Sequence, residues 1–344
     1  MKRAAAALVA VVACAHSKQP AAANAAKEPA GVEVEDAIHG ARYELPAGGE
    51  VWQVSHNGDA RTASGVEAEI GWFPLAKDAT PSACRDRQLK LVVKEGREAD
   101  APKDETTSDD PTATWSYLTG SDGAEIYKRL AFFPRGADCL VLRVSSAKGD
   151  QFADRTFSEA AKSMRVLNLP EERQRELDLA AGAMFYERHE PEAALDRFEA
   201  LANRDPEVTK AQYGALLAAF AIGVDAYGRA LPHGRKALSS ERELTAEQRQ
   251  FALRAVGIME LAQNQIRAAA DTLAELVVRA PDLAEGQYNY ACALARLGDA
   301  PGALDHLKKA VELDGELVAH ARSDEDLKSL HGQADFERIL GRPK

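Results

Sequence analysis

Ser55, His56 and Asp59 carry the three side-chain types of a nucleophilic triad and lie within five residues of one another. A catalytic triad draws its members from separate elements around an oxyanion site, so this cluster is interpreted as a polar turn. No two of the eight histidines stand four residues apart, the helical spacing typical of zinc hydrolases. Gly48 and Gly49 lack the Lys-Ser/Thr pair that completes a phosphate-binding loop. These observations predict a non-enzymatic protein with no cofactor and no metal.

The four cysteines fall into three contexts. Cys84 and Cys139 lie in the first half of the chain. A bridge between them would close a loop of 55 residues, and in an oxidising compartment it would stabilise the fold by about 4 kcal/mol. Two buried thiols are the alternative, because pairing cannot be proved from sequence. Cys292, between alanines in a helical stretch, is interpreted as a small core residue, and Cys14 follows an apolar run.

The amino terminus has the composition of an export signal. Lys2 and Arg3 precede an apolar run that is too short to span a membrane. Residues 11–14, Val-Val-Ala-Cys, resemble the bacterial lipoprotein box. That resemblance implies that residues 1–13 are removed and that Cys14 becomes the lipid-modified first residue. An ordinary signal peptide, cleaved at one of the nearby alanine-containing trios, is the alternative.

Residues 14–40 are expected to form a flexible tether, because they are rich in Ala, Pro, Lys and Glu and contain few large apolar side chains. Ala15 follows the cysteine where an aspartate would favour inner-membrane retention, so the resemblance implies the outer membrane. The sequence therefore predicts a lipid-anchored envelope protein that faces the periplasm.

Residues 41–167 change to a strand-like pattern. Residues 66–70 alternate strictly, and 124–133 and 139–145 are further strand candidates. Two helices are expected, over about 82–93 and 152–166. This order predicts an α+β domain, with an antiparallel sheet that has one face covered by two helices. The arrangement resembles PsbP-like domains.

Small side chains and prolines recur with a period of 34 residues in the second half. In the unit 175–208, Gly182 occupies the eighth place, Ala194 the twentieth and Pro206 the thirty-second. Units 250–283 and 284–317 share this register, and residues 209–249 fit as an irregular unit. The small residues are expected to face each other between paired helices. The pattern resembles tetratricopeptide (TPR) repeats, which implies an all-α solenoid over 171–317 followed by a helical cap over 318–344.

The resemblance also implies a groove lined by the first helix of each pair. Aromatic and arginine side chains, which often anchor protein interfaces, occupy inner positions of these helices. The candidates for partner binding are Tyr186, Tyr213, Phe220, Arg254, Tyr288 and Arg296. The alternative is that the tyrosines pack against adjacent helices.

The formal net charge of −11 argues against nucleic acid, because binding to phosphates requires a basic surface. The preferred hypothesis is a lipid-anchored adaptor that binds a protein or peptide partner through the repeat groove and the membrane through its N-terminal lipid. The alternative is a small-ligand-binding or sensor lipoprotein that acts through the α+β domain. In that case the repeats serve as a spacer or an oligomerisation surface.

Overall fold

The computed structural model describes residues 31–48, 50–94, 113–119, 126–147, 149–240 and 243–341. The chain divides into two compact units, Met1–Gln174 and Arg175–Lys344. The predicted signal peptide 1–13, Cys14 and most of the predicted tether lie outside the described residues. Within the described part, the search for a helix of membrane-spanning length and apolarity finds none.

The N-terminal unit contains two antiparallel sheets and two helices. The smaller sheet has the strand order β1-β2-β9, and the larger has the order β3-β4-β5-β8-β7-β6. The strands are β1 (Val32–Asp36), β2 (Ala41–Leu45), β3 (Gln53–Val54), β4 (Ala60–Arg61), β5 (Glu67–Pro74), β6 (Ala113–Thr119), β7 (Ile126–Arg135), β8 (Asp138–Ala147) and β9 (Arg165–Val166). Helix α1 spans Pro81–Lys94 and helix α2 spans Gln151–Ser163. This order confirms the predicted α+β class.

Both faces of the larger sheet are buried, which corrects the expectation that two helices cover one face. Ala131 and Phe133 of β7 pack in a core with α2, whereas Leu130 and Phe132 pack on the other side with Cys84 of α1. Strands buried on both faces read as continuous apolar runs rather than alternating ones. Strands β7 and β8 have this character, so α1 and α2 each pack on an apolar face of the sheet.

Strand β1 lies within residues 14–40, so the assignment of that whole segment to the tether was wrong. Val34 pairs with Tyr43 of β2, and Val34 and Asp36 are both buried. The Asp36 carboxylate accepts hydrogen bonds from the backbone N–H groups of Ile38 and His39, and it closes the turn to β2. The acidic composition conceals the strand, because its exposed residues are glutamates while alternate positions are buried.

A disulfide joins Cys84 of α1 to Cys139 of β8, with 5.7 Å between their Cα atoms. The pairing that the sequence left open is therefore confirmed. Both cysteines are completely buried and belong to the core beneath α1. The bridge fixes α1 to the sheet across a separation of 55 residues, which corresponds to about 4 kcal/mol of stabilisation in the chain-entropy model.

The second unit is a TPR-like series of helix pairs, as predicted. Four pairs are followed by a cap that contains two short α-helices and a 3₁₀ helix (Glu325–Leu330). The helices are α3 (Glu171–Glu187), α4 (Pro191–Arg204), α5 (Thr209–Ile222), α6 (Val224–Ser239), α7 (Ala246–Ala262), α8 (Ile266–Arg279), α9 (Ala284–Leu297), α10 (Ala300–Leu313), α11 (Leu317–Ala321) and α12 (Ala334–Leu340).

The glycines at the eighth place of the repeat make room for a large side chain rather than for another small one. A Cβ atom on Gly182 would lie 2.6 Å from the Phe198 ring, and one on Gly257 would lie 2.6 Å from Leu273. Phe198 and Leu273 occupy the twenty-fourth place of their units. The space at each of these glycines is therefore filled by the large residue from the twenty-fourth place of the same unit. The alanines at the twentieth place, Ala194 and Ala269, are completely buried.

A buried glutamine at the fourth place of the second unit connects three segments. Gln212 Nε2 donates to the carbonyl of Pro206 at 3.0 Å, and His233 Nδ1 donates to Gln212 Oε1 at 2.7 Å. The side chain thus bonds the exit of α4 to the second helix of its own pair. Burial without these partners would leave the amide unsatisfied, which costs free energy.

The other junctions between pairs use the same kind of contact. Gln287 of α9 donates to the carbonyl of Pro281 at 2.7 Å and accepts from His306 Nδ1 at 2.6 Å. At the remaining junction, Arg249 of α7 donates to the carbonyl of Leu238 at 3.0 Å. In each of α5, α7 and α9, a side chain from the first turn therefore donates to a carbonyl at the end of the preceding helix pair.

Candidate functional site

Aromatic rings from α5, α6 and α7 meet on the second and third helix pairs. Phe251 packs edge-on against Phe220 at a centroid distance of 5.4 Å and against Tyr213 at 6.2 Å. Tyr227 stacks on Phe220 with an interplanar angle of 9°. All four rings are only partly buried, so they contact the core and also meet solvent. These rings and Arg254 are here named the aromatic patch.

Arg254 lies over the rings and holds a fixed position. Its guanidinium carbon is 5.7 Å from the centroid of Phe251 and 6.0 Å from that of Phe220, within the range of cation–π attraction. The guanidinium also forms an ion pair with Glu285 of α9. A cleft of about 210 Å³ opens here, lined by Glu247, Gln250, Phe251, Arg254 and Leu283. The arrangement offers ring faces, one cation and carboxylates at a single opening.

A capping box fixes the start of the helix that carries Phe251 and Arg254. Thr245 Oγ1 accepts from the Gln248 N–H at 3.2 Å, and the Gln248 side chain accepts from the Thr245 N–H at 2.9 Å. The Thr-Ala-Glu-Gln sequence at 245–248 carries this signal. The sequence interpretation missed it, because it placed these residues within the irregular unit 209–249.

Tyr186 of α3 extends the aromatic surface toward the first pair. Its side chain remains 38% exposed. The neighbouring Tyr213 is more buried, and burial together with the proximity of Tyr186 raises the pKa of the Tyr213 hydroxyl. Four of the six residues predicted to bind a partner, Tyr186, Tyr213, Phe220 and Arg254, therefore belong to one exposed region of the first three pairs.

Tyr288 and Arg296 do not join that region, and their assignment to a groove was wrong. Tyr288 is 4% exposed, and its hydroxyl donates to Asp324 Oδ2 of the cap at 2.6 Å. Arg296 Nη1 lies 3.1 Å from Asp326 Oδ1, and its Nη2 donates to Asn264 Oδ1 at 2.7 Å. The cap packs on α9, so the inner positions of the last pair become an internal interface.

The cluster of Ser55, His56 and Asp59 is a turn between β3 and β4, in agreement with its interpretation as a polar turn. Ser55 Oγ accepts from the backbone N–H of Asn57 at 3.3 Å and from that of Asp59 at 3.2 Å. Its oxygen organises the turn, and no hydrogen bond joins it to the His56 ring within this described segment. Burial raises the pKa of Asp59, with Glu69 as the next cause.

No protein-family model matches the chain, and no curated protein matches it. Solved structures of helical-repeat proteins are similar to about half of it. MamA 41-end from Desulfovibrio magneticus RS-1 is 21% identical, with a TM-score of 0.37, over 48% of this chain and 93% of that one. YrrB, described as a TPR protein with an unusual peptide-binding site, is 19% identical, with a TM-score of 0.38, over 49% and 89%.

A further structure of MamA protein is 13% identical and has a TM-score of 0.41 over 49% of this chain and 87% of that one. These are likenesses of fold at low identity. The series of helix pairs defines the second unit of this chain as a TPR-like helical-repeat region. In two of its four units, glycine at the eighth place lies beneath a large residue from the twenty-fourth.

Proposed function

We propose that this chain is a non-enzymatic adaptor of the bacterial cell envelope and that its helical repeats bind a protein partner through the aromatic patch. The observation that carries the proposal is a cluster of four partly exposed rings that contact one another, with Phe251 and Arg254 of this cluster lining a cleft. Aromatic and arginine side chains dominate the binding energy of many interfaces. Rings already held by one another lose little conformational freedom on binding, which favours affinity.

The partner segment is expected to insert an apolar or cationic side chain into the cleft. Ring faces accept both kinds of group, and Glu247 supplies a carboxylate at the rim. Because Arg254 already forms an ion pair with Glu285, a partner would meet a neutralised guanidinium rather than a free positive charge. Helical segments and extended segments both meet this requirement, and both are common ligands of helical grooves.

The envelope part of the proposal rests on the lipoprotein box at Cys14. Multiple acyl chains would hold the protein at a membrane, which by the resemblance is the outer membrane facing the periplasm. The disulfide between Cys84 and Cys139 supports an oxidising compartment, since stable disulfides are rare in the reducing cytosol.

A site-specific crosslinking experiment tests the binding surface. A photoreactive amino acid replaces Gln250 at the cleft in one variant and Val278, an 80% exposed residue of α8, in the control. The partner captured from position 250 is identified, purified and titrated against wild type, Tyr213→Ala and Arg254→Ala. Loss of an anchoring contact is expected to weaken binding by about tenfold or more, while Val278→Ala binds as wild type.

Equal crosslinking from both positions, or unchanged affinity in both patch variants, would contradict the proposal. Circular dichroism of each variant checks that the helices remain folded. A small molecule from the envelope that raises the melting temperature without any effect of the patch variants would instead favour the α+β domain as the ligand-binding part.

A further inference from the structure

Three kinds of metal donor, a thiol, an imidazole and two carboxylates, lie near one another where the cap packs on α9. Ligand atoms of Cys292, Asp324 and Asp326 lie within 4.8 Å of one another, and His320 Nε2 lies 3.7 Å from Asp324 Oδ2. Cys292 belongs to α9, His320 to α11, and Asp324 and Asp326 to the beginning of the 3₁₀ helix. We propose that these four side chains bind a thiophilic divalent metal ion of the Zn²⁺ type, which would join the last repeat to the cap.

Two separations from Asp324 Oδ2 are close to those expected for tetrahedral coordination. With metal–sulfur and metal–oxygen distances of about 2.3 and 2.0 Å, a tetrahedral ion separates a sulfur from an oxygen ligand by about 3.5 Å. Cys292 Sγ lies 3.7 Å from Asp324 Oδ2. The separation of His320 Nε2 from the same oxygen is also 3.7 Å. The imidazole is the most exposed of the four side chains, and it would have to rotate toward Cys292 and Asp326, which with Asp324 form the compact part of the cluster.

The four donors range from a buried side chain to an exposed one, as expected for a metal site that opens to solvent. Cys292 is 2% exposed, so its sulfur has only protein groups around it. The side chain of Asp324 is 17% exposed and that of His320 is 67% exposed, which leaves the imidazole side open to an arriving ion. The cluster therefore combines a fixed inner ligand with an accessible outer one.

The position of Cys292 in the repeat is itself distinctive. It occupies the ninth place of its unit, where the other three units have the hydrocarbon residues Ala183, Leu217 and Ile258. The fifth and thirteenth places of the same helix carry Tyr288 and Arg296, and both contact the aspartates of the cap. The inner face of α9 thus directs three polar side chains at the same acidic turn.

Neighbouring hydrogen bonds orient the carboxylate ligands, as in most metal sites. The Tyr288 hydroxyl donates to Asp324 Oδ2, while Asp324 Oδ1 accepts from the Asp326 N–H at 2.9 Å. Arg296 holds one oxygen of Asp326 at 3.1 Å. One thiolate and two carboxylates with Arg296 leave two negative charges, which a divalent cation balances. On binding, the Cys292 thiol loses its proton to solvent, and a sulfur–metal bond replaces the contact between the thiol and Asp324.

The donor set also selects the metal. Thiolate and imidazole ligands favour Zn²⁺ and its neighbours, whereas Mg²⁺ and Ca²⁺ take oxygen ligands. Cobalt(II) occupies such sites and reports a thiolate ligand through charge-transfer absorption in the near ultraviolet. It is therefore the probe for the test, and Zn²⁺ is the competitor.

The test uses the full chain with Cys14→Ser, which leaves Cys292 as the cysteine outside the disulfide. Titration with Co²⁺ is expected to give one equivalent of charge-transfer absorbance that Zn²⁺ removes. Cys292→Ala should abolish the absorbance, and Asp326→Asn should weaken it. Tyr288→Phe, which removes only an orienting hydrogen bond, should lower affinity by about tenfold. Asp282→Asn, at an exposed acidic position, is the matched control.

Absence of the charge-transfer band in a folded wild-type chain would overturn the proposal. The same conclusion follows if the band persists in Cys292→Ala, or if Asp282→Asn weakens binding as much as Asp326→Asn, because acidic surface groups would then explain the uptake. As a second readout, Zn²⁺ should raise the melting temperature of the wild type and leave that of Cys292→Ala unchanged.

Discussion

His306 is partly buried in the last helix pair, in surroundings that disfavour its charged form. Burial, followed by the nearby Lys309, lowers its pKa, and its ring donates to Gln287 Oε1 at 2.6 Å. The folded state therefore binds a proton less readily than the unfolded chain, whose histidine pKa is about 6.5. The stabilisation that comes from keeping the His306 ring neutral should accordingly be complete above that pKa and should decrease as pH falls below it.

Denaturant unfolding at about pH 7.5 and about pH 5.5 measures this effect, and His306→Gln should reduce the difference between the two conditions. His331→Gln, in the cap and outside the network of Gln287, is the control. An unchanged pH dependence in His306→Gln would mean that this ring does not contribute to it.

A local role can be read from a few neighbouring residues. Gly298 has a positive φ of 84° at the end of α9, and Asp299 caps α10 by accepting from the Gly302 N–H at 3.1 Å, as the order Gly-Asp with a following proline predicts. The role of Tyr288 was predicted wrongly, because Asp324, its partner, lies 36 residues further along the chain. The proposed metal ligands escape sequence motifs for the same reason, since Cys292 and His320 belong to different elements.

The close packing of a helix pair depends on the absence of a side chain at its glycine. A Cβ atom on Gly257 would lie 2.6 Å from both Cγ and Cδ2 of Leu273. Gly257→Ala should therefore destabilise the protein by about 1–3 kcal/mol, because α7 and α8 must separate or Leu273 must leave its rotamer. Gly315→Ala is the matched control, since nothing lies within 4 Å of its added Cβ. Denaturant unfolding compares the two variants, and equal stability would refute this account of the eighth place.

At the scale of elements, periodicity served the helices better than the strands. The 34-residue register begins its second unit at residue 209, and α5 begins at Thr209. Local pattern does not show which face of a strand a distant helix will cover, so the sheet was expected to bury one face only. Strand β1 was missed because its glutamates resemble a disordered segment, although Val34 and Asp36 are buried in a paired strand.

For the whole molecule, the main prediction concerns Cys14. In the bacterial envelope, the wild type should partition with membranes and into the detergent phase, because multiple acyl chains hold a protein stably. Cys14→Ser should appear in the aqueous fraction, while Cys292→Ser remains with the membranes. Mass spectrometry of the mature amino terminus identifies the modification directly. Recovery of both variants in one fraction would remove the lipid anchor from the proposed function.

The junction contacts have a consequence for protein engineering. Gln212, Arg249 and Gln287 each satisfy a carbonyl that belongs to the pair before their own. A repeat fragment that ends at the loop between two pairs would leave that carbonyl without its hydrogen-bond donor. Grafts and shortened arrays should therefore carry the opening turn of the following helix with them, so the exchangeable module of this solenoid is offset from the repeat that its sequence displays.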